Sequence, residues 1–137
     1  MNILFISDAA ENYSVGGFEP LGIMYLTSAL KEAGHQVAIC GAGRNEVKKY
    51  LSKFRPQVVA YSATTGAHRL FLNLNRRIKS EHLVFSVFGG PHPTFFPQMI
   101  EEEGVNALCI GEGEEVFVEL AAKLERGEDI SRLAIST

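Results

Sequence analysis

Five short apolar runs, each followed by a stretch with helical spacing, constrain the fold of this chain more than any other feature. The runs are residues 3–6, 37–40, 58–61, 83–88 and 107–110. Each is nearly continuous rather than alternating, as in strands whose two faces are both covered. Between them the period changes. Val47, Tyr50, Leu51 and Phe54 fall at i, i+3, i+4 and i+7, as do Phe117, Leu120, Ala121 and Leu124; Phe71, Leu74 and Ile78 repeat the stripe more thinly. Such a stripe buries one face of a helix on a sheet. A helix over residues 20–33 has legible ends: Pro20 suits a first turn, and Gly34 the left-handed position after the last. Strands and helices that alternate through short links imply right-handed crossovers and a parallel sheet.

The expectation is therefore one domain over residues 1–137, a flavodoxin-like (Rossmann-like) three-layer αβα fold with a five-stranded parallel sheet and five helices. At 137 residues the length suits a single domain. Apolar residues make up 46% of the chain, enough for a core, and the net charge of −3 argues against nucleic acid or an anionic membrane as a partner. The basic run Arg76-Arg77-Ile78-Lys79 reads as a solvated helix face. No apolar stretch approaches the roughly 20 residues of a membrane span, and the N-terminus lacks the basic segment of a signal peptide. Cys40 and Cys109 lie in strand-like runs without paired spacing. They read as buried reduced thiols, with a disulfide or metal site as the alternative, and the expected compartment is the cytoplasm.

Loop lengths give the first indication of function. Links from helix to strand are tight, whereas the loop after the first strand, residues 7–19, exceeds the usual two to six residues. In an open α/β sheet the ligand crevice lies at the strand carboxyl ends, where the strand order reverses. Here that point falls between the first and third strands. Ser7 and Asp8 open the long loop. After the third strand come Ser62, Ala63, Thr64, Thr65 and Gly66, whose hydroxyls suit hydrogen bonding to a phosphate or amide group; helix capping is the simpler reading. After the fourth come Gly89 and Gly90, which let a ligand approach the backbone, then Pro91, His92, Pro93 and Thr94. Thr94 suits the cap of a helix starting near Phe95. His92, a base or metal ligand by type, more often serves as a hydrogen-bonding loop residue. After the fifth come Gly111, Glu112, Gly113, Glu114 and Glu115, the last two suiting a helix N-terminus. A receiver-type phosphoacceptor is disfavoured: the third strand ends in Ser62 rather than Asp, and the fifth offers no Lys. Neither a G-x-G-x-x-G nor a Walker motif occurs.

These loops together carry a resemblance. Glu19-Pro20-Leu21-Gly22, the run from Leu30 to Val37, the stretch Gly89-Gly90-Pro91-His92-Pro93-Thr94 and the stretch Ile110-Gly111-Glu112-Gly113-Glu114 are similar, in order and spacing, to the N-terminal cobalamin-binding domain of B12-dependent radical SAM enzymes. The resemblance covers nearly the whole chain. It implies that the corrin lies over the strand carboxyl ends and that the nucleotide tail enters between the first and third strands. It implies that Ser62, Thr64 and Thr65 line the tail and that Gly89 and Gly90 let it pass. Loop residues after Ser7, with His92 and Gly111, Glu112 and Gly113, would approach the ring or its amides, and Ser7, Asp8 and Thr94 complete the expected cofactor-binding set. The D-x-H-x-x-G motif that supplies a lower cobalt ligand is missing: Ala9 and Ala10 follow Asp8, and no His comes before His35. The family's catalytic domain, with its 4Fe-4S cluster and S-adenosylmethionine, would lie outside this chain. The expected role is a module presenting cobalamin to that domain for methyl transfer or rearrangement. The alternatives are a flavin-binding electron-transfer domain, a hydrolase or transferase using Asp8, His92 and Glu112, and a cofactor-free interaction domain.

Overall fold

The computed structural model describes residues 1–7, 21–62, 67–110, 114–130 and 133–136. The apolar runs form strands β1 (Asn2–Ile6), β2 (Gln36–Cys40), β3 (Val58–Ser62), β4 (Phe85–Gly89) and β5 (Ala107–Ile110), followed by β6 (Leu133–Ser136). The helices are α1 (Leu21–Glu32), α2 (Arg44–Lys53), α3 (His68–Glu81), the short α4 (Pro91–Phe95) and α5 (Glu114–Glu125); a 3-10 turn, Pro97–Glu101, follows α4. All strands pair in parallel, in the order β2-β1-β3-β4-β5-β6. The reversal of strand order falls between β1 and β3, as the flavodoxin-like arrangement requires.

The expected five strands become six. β6 pairs with β5 from Ala107↔Leu133 to Ile110↔Ser136. Its four residues follow a polar stretch of sequence and form too short an apolar run for the strand–helix rhythm to mark it. Two more boundaries move. β4 begins at Phe85, whose N–H donates to the Gln57 carbonyl at 2.9 Å, and Leu83 is fully exposed ahead of it. The helix expected near Phe95 begins instead at Pro91, where the missing N–H of proline costs nothing.

Alternation along the strands divides the core. Leu4, Ile6, Val59, Tyr61, Phe88 and Leu108 pack with Val47 and Leu51 of α2, Phe71, Leu74 and Ile78 of α3, and Met99 of the 3-10 turn. Ile3, Phe5, Val58, Ala60, Val87 and Ala107 pack with Ile23 and Leu30 of α1 and Phe117, Leu120 and Ala121 of α5. The stripes legible in sequence are thus the faces that the helices bury. α1 ends as expected. Gly34 takes φ +96°, and its N–H and that of His35 donate to the carbonyls of Lys31 and Leu30, which satisfies two last-turn acceptors. Pro20 lies outside the described residues.

Candidate functional site at the carboxyl edge of the sheet

The sheet changes character over one residue at its carboxyl edge. Ile6 pairs with Cys40 and with Tyr61, Tyr61 with Phe88, and Phe88 with Leu108, so the last full row is bulky and apolar. One residue on, the same register brings Gly41, Ser7, Ser62 and Gly89 side by side across β2, β1, β3 and β4. Ser62↔Gly89 is itself a registered pair, and the Ser7 N–H donates to the Cys40 carbonyl at 3.0 Å. Side chains alternate between faces, so this row points to the α1/α5 side, with Phe5, Ala60 and Val87. A Cβ placed on Gly89 would sit 3.6 Å from the Cys109 carbonyl oxygen and 3.7 Å from its Cβ, which agrees with that direction.

The row is a cradle of small groups. Ser7 and Gly41 are buried and Ser62 is half-buried. The row carries the hydroxyls of Ser7 and Ser62, a residue type that can both donate and accept. The row carries no ionisable group except by way of its neighbours, so a phosphodiester meets no carboxylate in it. Gly90 follows with φ +100° and ψ −170°, backbone that only glycine adopts at ease. It turns the chain from β4 into α4. Gly90 therefore has a conformational reason to be glycine, whereas a Cβ at Gly89 would meet only ordinary contacts.

A buried polar network fixes the floor. Asn75 of α3 is fully buried. Its Oδ1 accepts from the Tyr61 hydroxyl at 3.1 Å and the Ser86 hydroxyl at 2.6 Å, and its Nδ2 donates to the Gly104 carbonyl at 2.9 Å. Asn106 Oδ1 accepts from the Ser86 N–H at 2.8 Å and from the Lys79 ammonium. Tyr61, next to Ser62, is thereby held between α3 and β4, and it stacks on Phe88 with centroids 4.4 Å apart. Burial raises its phenol well above the ordinary range, so it stays protonated.

The expected site residues do not all converge. Ser7, Ser62 and Gly89 share the cradle, with Gly90 beside it. Thr94 turns back into its own helix, its hydroxyl donating to the Gly90 carbonyl at 2.9 Å. His92 is buried and stacked between two rings: His68 at 3.7 Å with planes 7° apart, and Phe96 at 4.9 Å. These rings line a cleft of about 130 Å³ with Leu72, Gln98, Met99 and Glu102. Leu72 and Met99 belong to the α2/α3 side of the core, so the cleft opens on the face opposite the cradle. Burial, then the neighbouring His68, lowers the His92 pKa. Asp8, Thr64, Thr65, Gly111, Glu112 and Gly113 lie outside the described residues. Gly41 and His68 were not singled out from sequence. Gly41 sits in a Gly-Ala-Gly stretch after β2, which was signal enough; His68 sits alone at a helix start and gave none.

The two cysteines are buried thiols on opposite faces of the sheet, Cys40 toward α2 and Cys109 toward α5. They cannot pair with each other. Burial, aided by Glu46, pushes Cys40 up to about 12, and burial alone takes Cys109 to about 11, so neither is a nucleophile near neutrality. Among the described residues no group of three His, Cys, Asp or Glu side chains is placed to hold a metal ion. Among the same residues no helix is long and apolar enough to cross a membrane.

A family model described as the B12 binding domain matches residues 13–121, and the chain belongs to that family. A cobalamin-binding role follows from the membership. It is 33% identical over 124 residues to an uncharacterized methyltransferase of Pyrococcus horikoshii, a match covering 81% of this chain and 26% of that one. It is 28% identical over 144 residues to the anaerobic magnesium-protoporphyrin IX monomethyl ester cyclase of Rubrivivax gelatinosus, covering 93% and 25%. It is 29% identical over 127 residues to the cyclase of the same name from Synechocystis, covering 83% and 25%. The chain thus spans about a quarter of the length of these relatives. In three dimensions it resembles the isolated REC domain of RcsB from Salmonella enterica serovar Typhimurium, with a TM-score of 0.67 at 13% identity over 98% of this chain and 92% of that one. The RcsB receiver domain from Escherichia coli gives 0.64 at 12%, covering 98% of both. At such identities the likeness is one of fold, and β3 here ends in Ser62, a hydroxyl rather than a carboxylate.

Proposed function

We propose that this domain binds cobalamin by its nucleotide tail in the Gly41-Ser7-Ser62-Gly89 cradle and presents the corrin to a radical SAM catalytic domain. The observation that carries the reading is the change from a bulky apolar row to a small, hydroxyl-bearing one where the strand order reverses. The row lies at the carboxyl edge, where the loops containing Asp8, Thr64, Thr65 and Gly111 to Gly113 begin, and its small residues suit the close approach of a ligand. The donor set fits the group: Ser7 and Ser62 suit a phosphodiester or amide, and Gly89 gives passage to a tail that a side chain would meet. Bound cobalamin would supply the cobalt-centred alkyl chemistry, while this chain binds, orients and shields it. The relatives' names support a methyltransferase or cyclase setting. Their greater length supports a catalytic partner, which would carry the 4Fe-4S cluster and S-adenosylmethionine, and a cytoplasmic location accords with that chemistry.

A titration of the intact chain with hydroxocobalamin, followed by visible absorbance, tests the reading. Gly89→Ala and Ser62→Leu are the informative variants. Gly89 has no positive φ, and a Cβ there meets only ordinary contacts, so Gly89→Ala leaves the unliganded fold in place. Saturable binding that weakens at least tenfold in both variants supports the cradle. Binding that both variants leave intact refutes the cradle, and saturable binding of FMN in place of cobalamin refutes the assignment.

A further inference from the structure

The amino edge of the sheet, opposite the cradle, brings three donor atoms of different chemistry close together. The Met1 amino nitrogen lies 3.1 Å from Nδ1 of His35 and 3.5 Å from Oε2 of Glu125, and Nδ1 lies 3.3 Å from that same oxygen. Three elements supply them: Met1 leads into β1, His35 leads into β2, and Glu125 ends α5. Backbone hydrogen bonds hold each in place. The Gln36 N–H donates to the Met1 carbonyl at 2.9 Å and the His35 N–H to the Leu30 carbonyl at 3.1 Å. The Gly127 N–H donates to the Leu124 carbonyl at 3.0 Å where the chain leaves α5. The side chains of Met1 and His35 are 8% and 4% exposed and that of Glu125 is 58% exposed, so water reaches the group from the Glu125 side.

Hydrogen bonding alone leaves one side of this triangle unsatisfied. An ammonium at Met1 donates to both partners, but Nδ1 and the carboxylate then face each other lone pair to lone pair at 3.3 Å. A proton on Nδ1 makes a straight bond to the amine or to the carboxylate, not to both. A single cation satisfies all three donors at once, and the separations suit one. Ligands about 2.0–2.1 Å from a tetrahedral zinc ion lie about 3.3–3.4 Å from one another. Two nitrogens and one carboxylate oxygen suit zinc and its d-block neighbours rather than magnesium or calcium, which take oxygen. Burial lowers the His35 pKa, as does the Met1 ammonium, with Glu125 opposing; the ring is thereby kept in the neutral form that a metal takes. Arg126, next to Glu125, does not compete for its carboxylate, since its guanidinium is 2.7 Å from Glu128. One donor is the chain's own amine, so the group is distinct from a cluster of three ligating side chains.

We propose that, where Met1 is the free amino terminus, its nitrogen binds one zinc ion together with His35 Nδ1 and Glu125 Oε2, water taking the fourth position, and that the ion clasps β1, the α1–β2 link and α5 together. Binding displaces the protons that these groups carry. The site lies across the sheet from the cradle, and the proposal stands apart from the function proposed above.

Calorimetric titration of the intact, chelator-treated chain with zinc chloride at pH 8 tests the site. The expected result is saturable binding of one ion per chain. In NMR the Asn2, Gln36 and Arg126 amides should shift on zinc addition, and those of Ser7 and Gly89 should not. Glu125→Gln keeps the shape of an exposed side chain and removes the charged donor. A Gly-Ser extension ahead of Met1 moves the amine away and leaves every side chain in place. Each should weaken zinc binding at least tenfold and abolish the rise in unfolding temperature that zinc gives the native chain. Glu119→Gln, exposed on the same helix, should leave binding as it was. Absence of saturable binding, binding that either Glu125→Gln or the extension leaves undiminished, or an equal loss in Glu119→Gln overturns the proposal. No cobalamin enters these readouts, so their failure leaves the proposed function untouched.

Discussion

Replacing Asn75 by Leu removes a buried side chain of similar volume and strands its partners. The Tyr61 hydroxyl, the Ser86 hydroxyl and the Gly104 carbonyl each lose a partner within 3.1 Å. Leaving a buried polar group unsatisfied costs about 1–3 kcal/mol. Three such groups, with some relaxation of the hydroxyl rotors, give a destabilisation of about 3–5 kcal/mol. That is a large share of the roughly 5–15 kcal/mol by which a domain of this kind is stable. With a urea m-value of about 1.5 kcal/mol/M, the unfolding midpoint should fall by about 2–3 M. The triple variant Asn75→Leu/Tyr61→Phe/Ser86→Ala removes both stranded hydroxyls and should recover about 2 kcal/mol of the loss. Ser86→Ala alone, which leaves the rest of the network in place, should cost about 1–2 kcal/mol. A loss below about 1 kcal/mol in Asn75→Leu, or a triple variant no more stable than the single one, would refute the argument that this network anchors the cradle floor.

Three further outcomes follow from the structure. Thr27 of α1 has a buried hydroxyl without a hydrogen-bond partner among the described residues, so Thr27→Val should be neutral or stabilising by up to about 1 kcal/mol in urea unfolding. Cys40 and Cys109 should react with a thiol reagent at pH 7.5 only at the rate of unfolding, and non-reducing electrophoresis should show no internal disulfide. Acid should weaken the fold through two histidines. Burial lowers the pKa of His35, as does the Met1 ammonium, with Glu125 opposing them; His92 is lowered by burial and by His68. A base with a depressed folded pKa takes its proton first in the unfolded chain. Stability is therefore greatest above the ordinary value of 6.5 and is lost as pH falls from there through the folded pKa values. Urea midpoints at pH 7.5 and pH 5.5 should show the fall, and His35→Leu should reduce it.

The parallel αβα arrangement was legible because burial on both faces leaves continuous apolar runs and one-sided helices leave a 3.6-residue stripe. Val47, Leu51, Phe71, Leu120 and Ala121 all sit where those periods place them. β6 was not legible: four residues beyond a polar stretch carry too short a pattern to separate from a tail. The site was legible in part. Ser7, Ser62 and Gly89 could be named because they end strands, and a strand end has a fixed place in this fold. Gly41 follows the same logic, at the head of the Gly-Ala-Gly stretch after β2. The arrangement of His92 could not be read at all. Its partner His68 lies 24 positions away on another helix, and only the packing of α4 on α3 brings the rings together.

The central claim is most directly tested by mapping the backbone amides of the chain before and after saturation with hydroxocobalamin. The account predicts the largest shifts at Ser7, Gly41, Ser62 and Gly89, with small ones at the amino ends of the strands around Asn2 and Val58. Shifts centred on α2 or on the amino edge of the sheet, or a spectrum unchanged at saturating cobalamin, would contradict it.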